Sequence, residues 1–113
     1  DKDELPWYVY GKNISKNEIY VCQGVDNQLL YTENITLDKI HWINDLKEFK
    51  HLDCLVQIRH RHKPVKCIIE FNKGFRVIFD EEIRGVAPGQ SAVFYKDNLC
   101  LGGGVIEARN NDL

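Results

Sequence analysis

From Gln57 to Lys66 the chain reads QIRHRHKPVK, with four cations, two histidines and no acid in ten residues. In an extended segment Arg59 and Arg61 project from one face, about 7 Å apart along the strand. Two guanidinium groups at that spacing can each fork onto a phosphate or stack on a base. Lys63 and Lys66 lengthen the stripe. The competing reading is a solvated outer strand whose arginines pair with Asp80, Glu81 or Glu82. His60 and His62 alternate onto the opposite face and read as edge or structural histidines ahead of ligands, the alternative being groups that titrate near neutral pH. His41 and His51 are too distant in sequence to give a metal cluster any support from spacing.

A second stretch, RGVAPGQSAVFY from Arg84 to Tyr95, sets a rigid corner directly before a strand pattern. Pro88 fixes φ near −65° and Gly89 supplies a positive φ, which is the type II turn signature. Such a turn holds the next side chain in a fixed pose. Gln90 both donates and accepts, which suits a base edge or a backbone amide, and Ser91 adds a hydroxyl. These two side chains either satisfy the turn itself or meet a ligand. The residues alone leave both readings open.

Other chemistry is weakly supported. Gly102-Gly103-Gly104 lacks the Lys-Ser/Thr pair and the following helix of a phosphate loop. In a strand it marks a bulge, a bend or a close approach by another backbone, and we expect a barrel corner or room for a partner. No serine elbow, carboxylate pair with a partner base, or nucleotide-binding loop is present, so the chain is not expected to run a reaction alone. Cys22, Cys54, Cys67 and Cys100 are widely spaced with no C-x-x-C pair, which argues against a metal site. They read as reduced, buried thiols of a cytosolic protein. The sequons at Asn13 and Asn34 are taken as chance matches.

The elements that must position these residues are short strands. The 113 residues make one domain or slightly more, and 43% hydrophobic residues suffice for a modest core. A net charge of −2 argues against wholesale non-specific binding to nucleic acid but leaves room for a local patch. No apolar run is long enough to cross a bilayer, and no secretory signal pattern opens the chain. The polar start without Met reads as part of a longer protein, whose chemistry then lies elsewhere.

Trp7 to Tyr10 and Glu18 to Cys22 form an expected hairpin. Strand signals follow over Leu29 to Thr32 and Ile35 to Ile43. Asn44 to Asp53 reads as a loop or a single helical turn. Leu55 to His62 alternates, with Val56, Ile58, His60 and His62 on one face. Pro64 ends that ladder. Val65 to Phe71 and Phe75 to Phe79 flank the turn NKG, and Gln90 to Tyr95 and Leu99 to Leu101 flank KDN. The glycine run interrupts that last arm, and the tail ARNNDL reads as frayed. Six to eight strands with almost no helix predict an all-β fold, a small antiparallel barrel or sandwich.

Three blocks also carry a resemblance. PWYVYGKNISKNEIYVCQGVDNQLLYT, IRHRHKP and VAPGQSAVFYKDNLCLGGGVI together resemble the C-terminal third of bacterial tRNA-specific 2-thiouridylases, from Pro6 to about Ile106. The resemblance implies a β-barrel similar to the second domain of elongation factor Tu, over residues 33–113. Residues 1–32 would be the end of a central β-rich segment carrying the hairpin. It also implies a cytoplasmic parent enzyme that installs sulfur at C2 of a wobble uridine. ATP with magnesium, and two catalytic cysteines, belong to that family's N-terminal domain, which this chain does not match. No cofactor or metal is expected here, and Cys100 falls on a structural cysteine.

The implied partners are the tRNA anticodon arm, the N-terminal catalytic domain and a sulfur-donor relay protein, with no membrane. Carried over by position, the family's tRNA-contacting strand falls on Arg59, His60 and Arg61, with Lys63 beyond, and its glutamine on Gln90, next to Ser91. Pro88 and Gly89 then fix Gln90 at the tRNA. His60 stands where the family has tyrosine, and Ala87 where it has threonine; VDNQ lacks two of the family's histidines. An alternative reading is a protein-interaction barrel that docks the catalytic domain or a relay protein through the Gly102 to Ile106 edge.

Overall fold

The structure, a computed structural model, describes residues 5–24, 27–43, 50–58 and 63–109. Among these residues the regular elements are ten strands and one short 3-10 helix. The fold class is all-β, as the turn spacing predicts.

Strands β1 (Trp7–Asn13) and β2 (Glu18–Gln23) pair antiparallel as a separate two-stranded sheet. Their turn is built locally. The Asn13 side-chain oxygen accepts from the Ser15 hydroxyl (2.8 Å) and the Lys16 N–H (3.1 Å), and Asn17 takes a φ of 56°. This is the Asx chemistry that makes Asn a turn residue. A bulge between Val9 and Gly11 re-aims the strand, and the Tyr10 and Tyr20 rings stack with centroids 6.0 Å apart.

The expected strand over Leu29 to Thr32 begins late. Asn27 caps a single 3-10 turn, Gln28–Leu30, by accepting from the Leu29 N–H at 3.0 Å, and β3 (Tyr31–Leu37) follows. A polar cap two residues ahead outcompetes the strand propensity of two leucines.

Seven further strands complete the second sheet: β4 (His41–Trp42), β5 (His51–Gln57), β6 (Val65–Phe71), β7 (Phe75–Arg84), β8 (Ser91–Lys96), β9 (Leu99–Val105) and β10 (Ala108–Arg109). The spatial order is β10-β3-β7-β6-β5-β8-β9-β4, and every pair is antiparallel. The chain leaves β9 through Ile106 and Glu107 and enters β10, which pairs with β3 at the other end of the series. One continuous segment thus ties the first and last long strands together, and the sheet curls into a barrel-like shell. Alternate residues fill it: Ile35, Leu37, Val56, Ile69, Val77, Ala92, Phe94 and Ile106 are buried at its centre.

Four expectations are corrected. The span Ile35 to Ile43 is two strands, because the chain bends after Leu37 and pairs again only at His41. Of the expected loop over Asn44 to Asp53, the part from His51 is strand, paired residue for residue with β6 from Glu70 to Ile68. The stretch 44–49 lies outside the described residues. The glycine run does not interrupt its strand: Gly102, Gly103 and Gly104 are continuous in β9.

Nor is the tail frayed at its start. Arg109 is buried, and its guanidinium donates to the carbonyls of Val86 (3.0 Å), Leu29 (2.6 Å) and Tyr31 (3.0 Å). A forked cation that meets three main-chain acceptors replaces the water those carbonyls would otherwise hold.

Candidate nucleic-acid interface

The proline-glycine corner forms as its sequence demands. Gly89 has a φ of +92°, and the Gln90 N–H donates to the Ala87 carbonyl at 3.3 Å, closing a type II turn. Two further bonds staple the turn to the end of β9. The Gly89 N–H donates to the Ile106 carbonyl at 2.9 Å, and the Ile106 N–H to the Gln90 carbonyl at 2.8 Å. Gln90 also works inside the turn, since its Oε1 accepts from the Ala87 N–H at 2.9 Å. That bond uses the side chain's acceptor and orients the amide, so the NH2 group is the part available to a ligand. Ser91 is exposed and opens β8 opposite Val105.

The basic stretch is partly outside the described residues: Arg59, His60, Arg61 and His62 all fall there. Its two flanks are described. Ile58 is buried just past β5, and Lys63 is exposed just before β6. Val56 pairs with Val65, so the segment between them is the hairpin connection of β5 and β6. On its other side β5 pairs with β8, and the last described pair is Gln57 with Val93, two residues into β8 from Ser91. The mouth of this connection and the Pro88-Gly89 corner therefore sit at one end of the sheet, on neighbouring antiparallel strands.

Lys66 does not extend the patch cleanly. It lines a hollow of about 210 Å³ together with Asp53 and Asp80.

No group of three or more potential metal ligands is found among the described residues. His41 is exposed in β4, and the His51 Nδ1 lies 3.7 Å from a Glu70 carboxylate oxygen at the surface. Cys22, Cys54 and Cys67 are buried, and all four thiols are free. The sequence spacing hides one neighbour relation: Cys54 and Cys67 face each other across β5 and β6, with Sγ atoms 3.7 Å apart. The hydrogen bond to Cys54, with burial behind it, pushes the Cys67 thiol well above its ordinary range. A thiol in that position is poorly nucleophilic.

The glycine run makes room for the chain itself. A Cβ on Gly102 would collide with the His41 carbonyl, one on Gly104 with the Lys39 carbonyl, and one on Gly103 would lie 2.7 Å from the Ala92 carbonyl. Gly102 and Gly103 pair with β4 on one side and β8 on the other. A docking edge from Gly102 to Ile106 is therefore corrected: its glycine part is already filled by residues 39–42.

Comparison with known proteins adds the context of this geometry. The family model described as the aminomethyltransferase beta-barrel domain matches residues 32–106, most of the chain and nearly all of the curled sheet. The chain belongs to this beta-barrel domain family. It is also similar to proteins named tRNA-specific 2-thiouridylase MnmA. That of Idiomarina loihiensis is 39% identical over 99% of this chain and 31% of its own length. That of Buchnera aphidicola subsp. Baizongia pistaciae is 39% identical over 95% of this chain and 30% of its own length. That of Pseudomonas aeruginosa is 41% identical over 90% of this chain and 28% of its own length. The chain thus spans about three tenths of the length of these curated relatives. The matches to these relatives cover the hairpin sheet as well as the region of the family model. No helix among the described residues is long and apolar enough to cross a membrane.

Proposed function

We propose that this chain is the tRNA-binding part of an ATP-dependent tRNA 2-thiouridylase, which places sulfur on C2 of a wobble uridine. Residues 1–32 end a central β-rich segment and residues 33–113 form the barrel domain. The parent enzyme is cytoplasmic. ATP with magnesium, the reacting cysteines and the docking of a sulfur-donor relay protein belong to an N-terminal catalytic domain, and the 113-residue chain alone is inactive.

Support comes from the names of relatives that match nearly the whole chain. The observation that carries the reading is the common sheet end shared by the β5–β6 connection and the Pro88-Gly89 corner. In this arrangement Arg59 and Arg61 fork onto phosphates of the anticodon arm and Lys63 adds a point charge. His60 stacks on a base in place of an aromatic ring. Gln90 donates from its amide, and Ser91 from its hydroxyl.

The test is filter binding of tRNA to the chain and to an Arg59→Ala/Arg61→Ala variant. We expect weak, salt-sensitive binding that the double substitution reduces by tenfold or more. Equal retention of tRNA by both proteins sinks the assignment.

A further inference from the structure

The hairpin sheet carries a second surface that RNA chemistry does not use. Register places Trp7, Val9, Ile19 and Val21 on one face of β1 and β2, since Val9 opposes Val21 and Trp7 opposes Gln23. The other face holds Tyr8, Tyr10, Tyr20 and buried Cys22, and it is turned toward the rest of the chain: the Arg84 guanidinium sits 5.3 Å from the Tyr8 ring centroid. Trp7 is 65% exposed, Val9 61%, Ile19 69% and Val21 48%. Four contiguous large apolar side chains on a two-stranded sheet expose on the order of 400 Å², the size of the largest apolar patch on a typical soluble domain, which is often a contact surface. A two-stranded sheet is also marginal in water until a further layer covers it.

We propose that this face is the docking surface for the remainder of the polypeptide that full-length relatives carry outside the region matched here. That remainder amounts to more than two thirds of each relative. The inference rests on the part of the proposed function that sets this chain within a longer protein, and not on RNA binding. Patch size favours an occupant in the same chain. Roughly 400 Å² falls short of the about 800 Å² per partner of a free-standing stable interface. A covalently joined partner needs less, because tethering supplies a high effective concentration. The chemistry also disfavours RNA as occupant. Lys12, opposite Ile19, is the one cation among these paired positions, so phosphate finds little to hold.

The experiment is amide hydrogen exchange without RNA. The chain is measured free, and again after it replaces the matched region of the Idiomarina loihiensis relative. Should that chimera be insoluble, the intact relative is compared with its own matched region. We expect amides between Tyr8 and Gln23 to exchange at least tenfold more slowly in the long protein, while β5 and β6 are unchanged. Val9→Asp/Val21→Asp should abolish the slowing and leave the unfolding midpoint of the free chain within a few degrees. Unchanged exchange of the hairpin in a soluble, monodisperse long protein overturns the proposal. So does slowing that appears in the free chain as its concentration rises, which assigns the face to a second copy, and slowing that appears only when tRNA is added, which assigns it to RNA.

Discussion

At Gln90 one side chain has an observed structural use and, in the function proposed above, a binding one, and the two can be separated by substitution. Gln90→Glu keeps an oxygen for the Ala87 N–H but loses the NH2 donors and adds a negative charge. We expect its unfolding midpoint to stay close to the parent's while tRNA affinity falls by about tenfold, the value of one lost polar contact with added repulsion. Equal losses of stability and binding would mean that Gln90 serves the turn alone. Arg109 is the opposite case. Arg109→Met removes the guanidinium bonds to the carbonyls of Val86, Leu29 and Tyr31 and should cost about 3 kcal/mol or more in chemical denaturation. The turn was legible in the residues because Pro and Gly restrict φ locally. Arg109 was not, because its three acceptors lie 23 to 80 positions away and nothing in ARNNDL announces them.

At the scale of elements, the hairpins show how far local chemistry reaches. Asp97 and Asn98 both take positive φ, 50° and 66°, between β8 and β9, as in a type I′ turn. Glycine at the second position is the better fit, so Asn98→Gly should raise stability by about 0.5 kcal/mol in a urea titration. Strand β9 depends instead on non-local fit. Gly102 has a φ of +151° and faces the His41 carbonyl across β4. Gly102→Ala should therefore destabilise by about 3 kcal/mol or more, and loss of the cooperative transition would be a consistent outcome. The sequence left the glycines as a bulge, a bend or the close approach of another backbone, and the structure realises the last. That this backbone is residues 39–42 of the same chain depends on β4 folding over β9, a contact between segments some 60 positions apart in sequence.

On the whole-molecule scale, the modest net charge of −2 bears on the proposed binding, which then rests on a local patch. If Arg59, Arg61 and Lys63 meet phosphate as proposed, the logarithm of tRNA affinity should fall against the logarithm of salt with a slope of about −3, measured by titration at several ionic strengths. A slope near zero would remove phosphate contacts from the account. The residues by themselves determined the all-β class, most strand positions, the type II corner and the likeness to tRNA-specific 2-thiouridylases. Each is written in short-range terms: period-two alternation, turn residues with restricted φ, and ordered motifs. Only the tertiary structure decided which strands are neighbours, and so that the β5–β6 connection and the Pro88 corner share an end. It alone also showed that Cys54 faces Cys67, that Arg109 is interior, and that Trp7, Val9, Ile19 and Val21 form one bare face. Those facts depend on the register between distant segments. Register is set by the common burial of Ile35, Val56, Ile69, Val77 and Phe94 in one core, which no window of sequence contains.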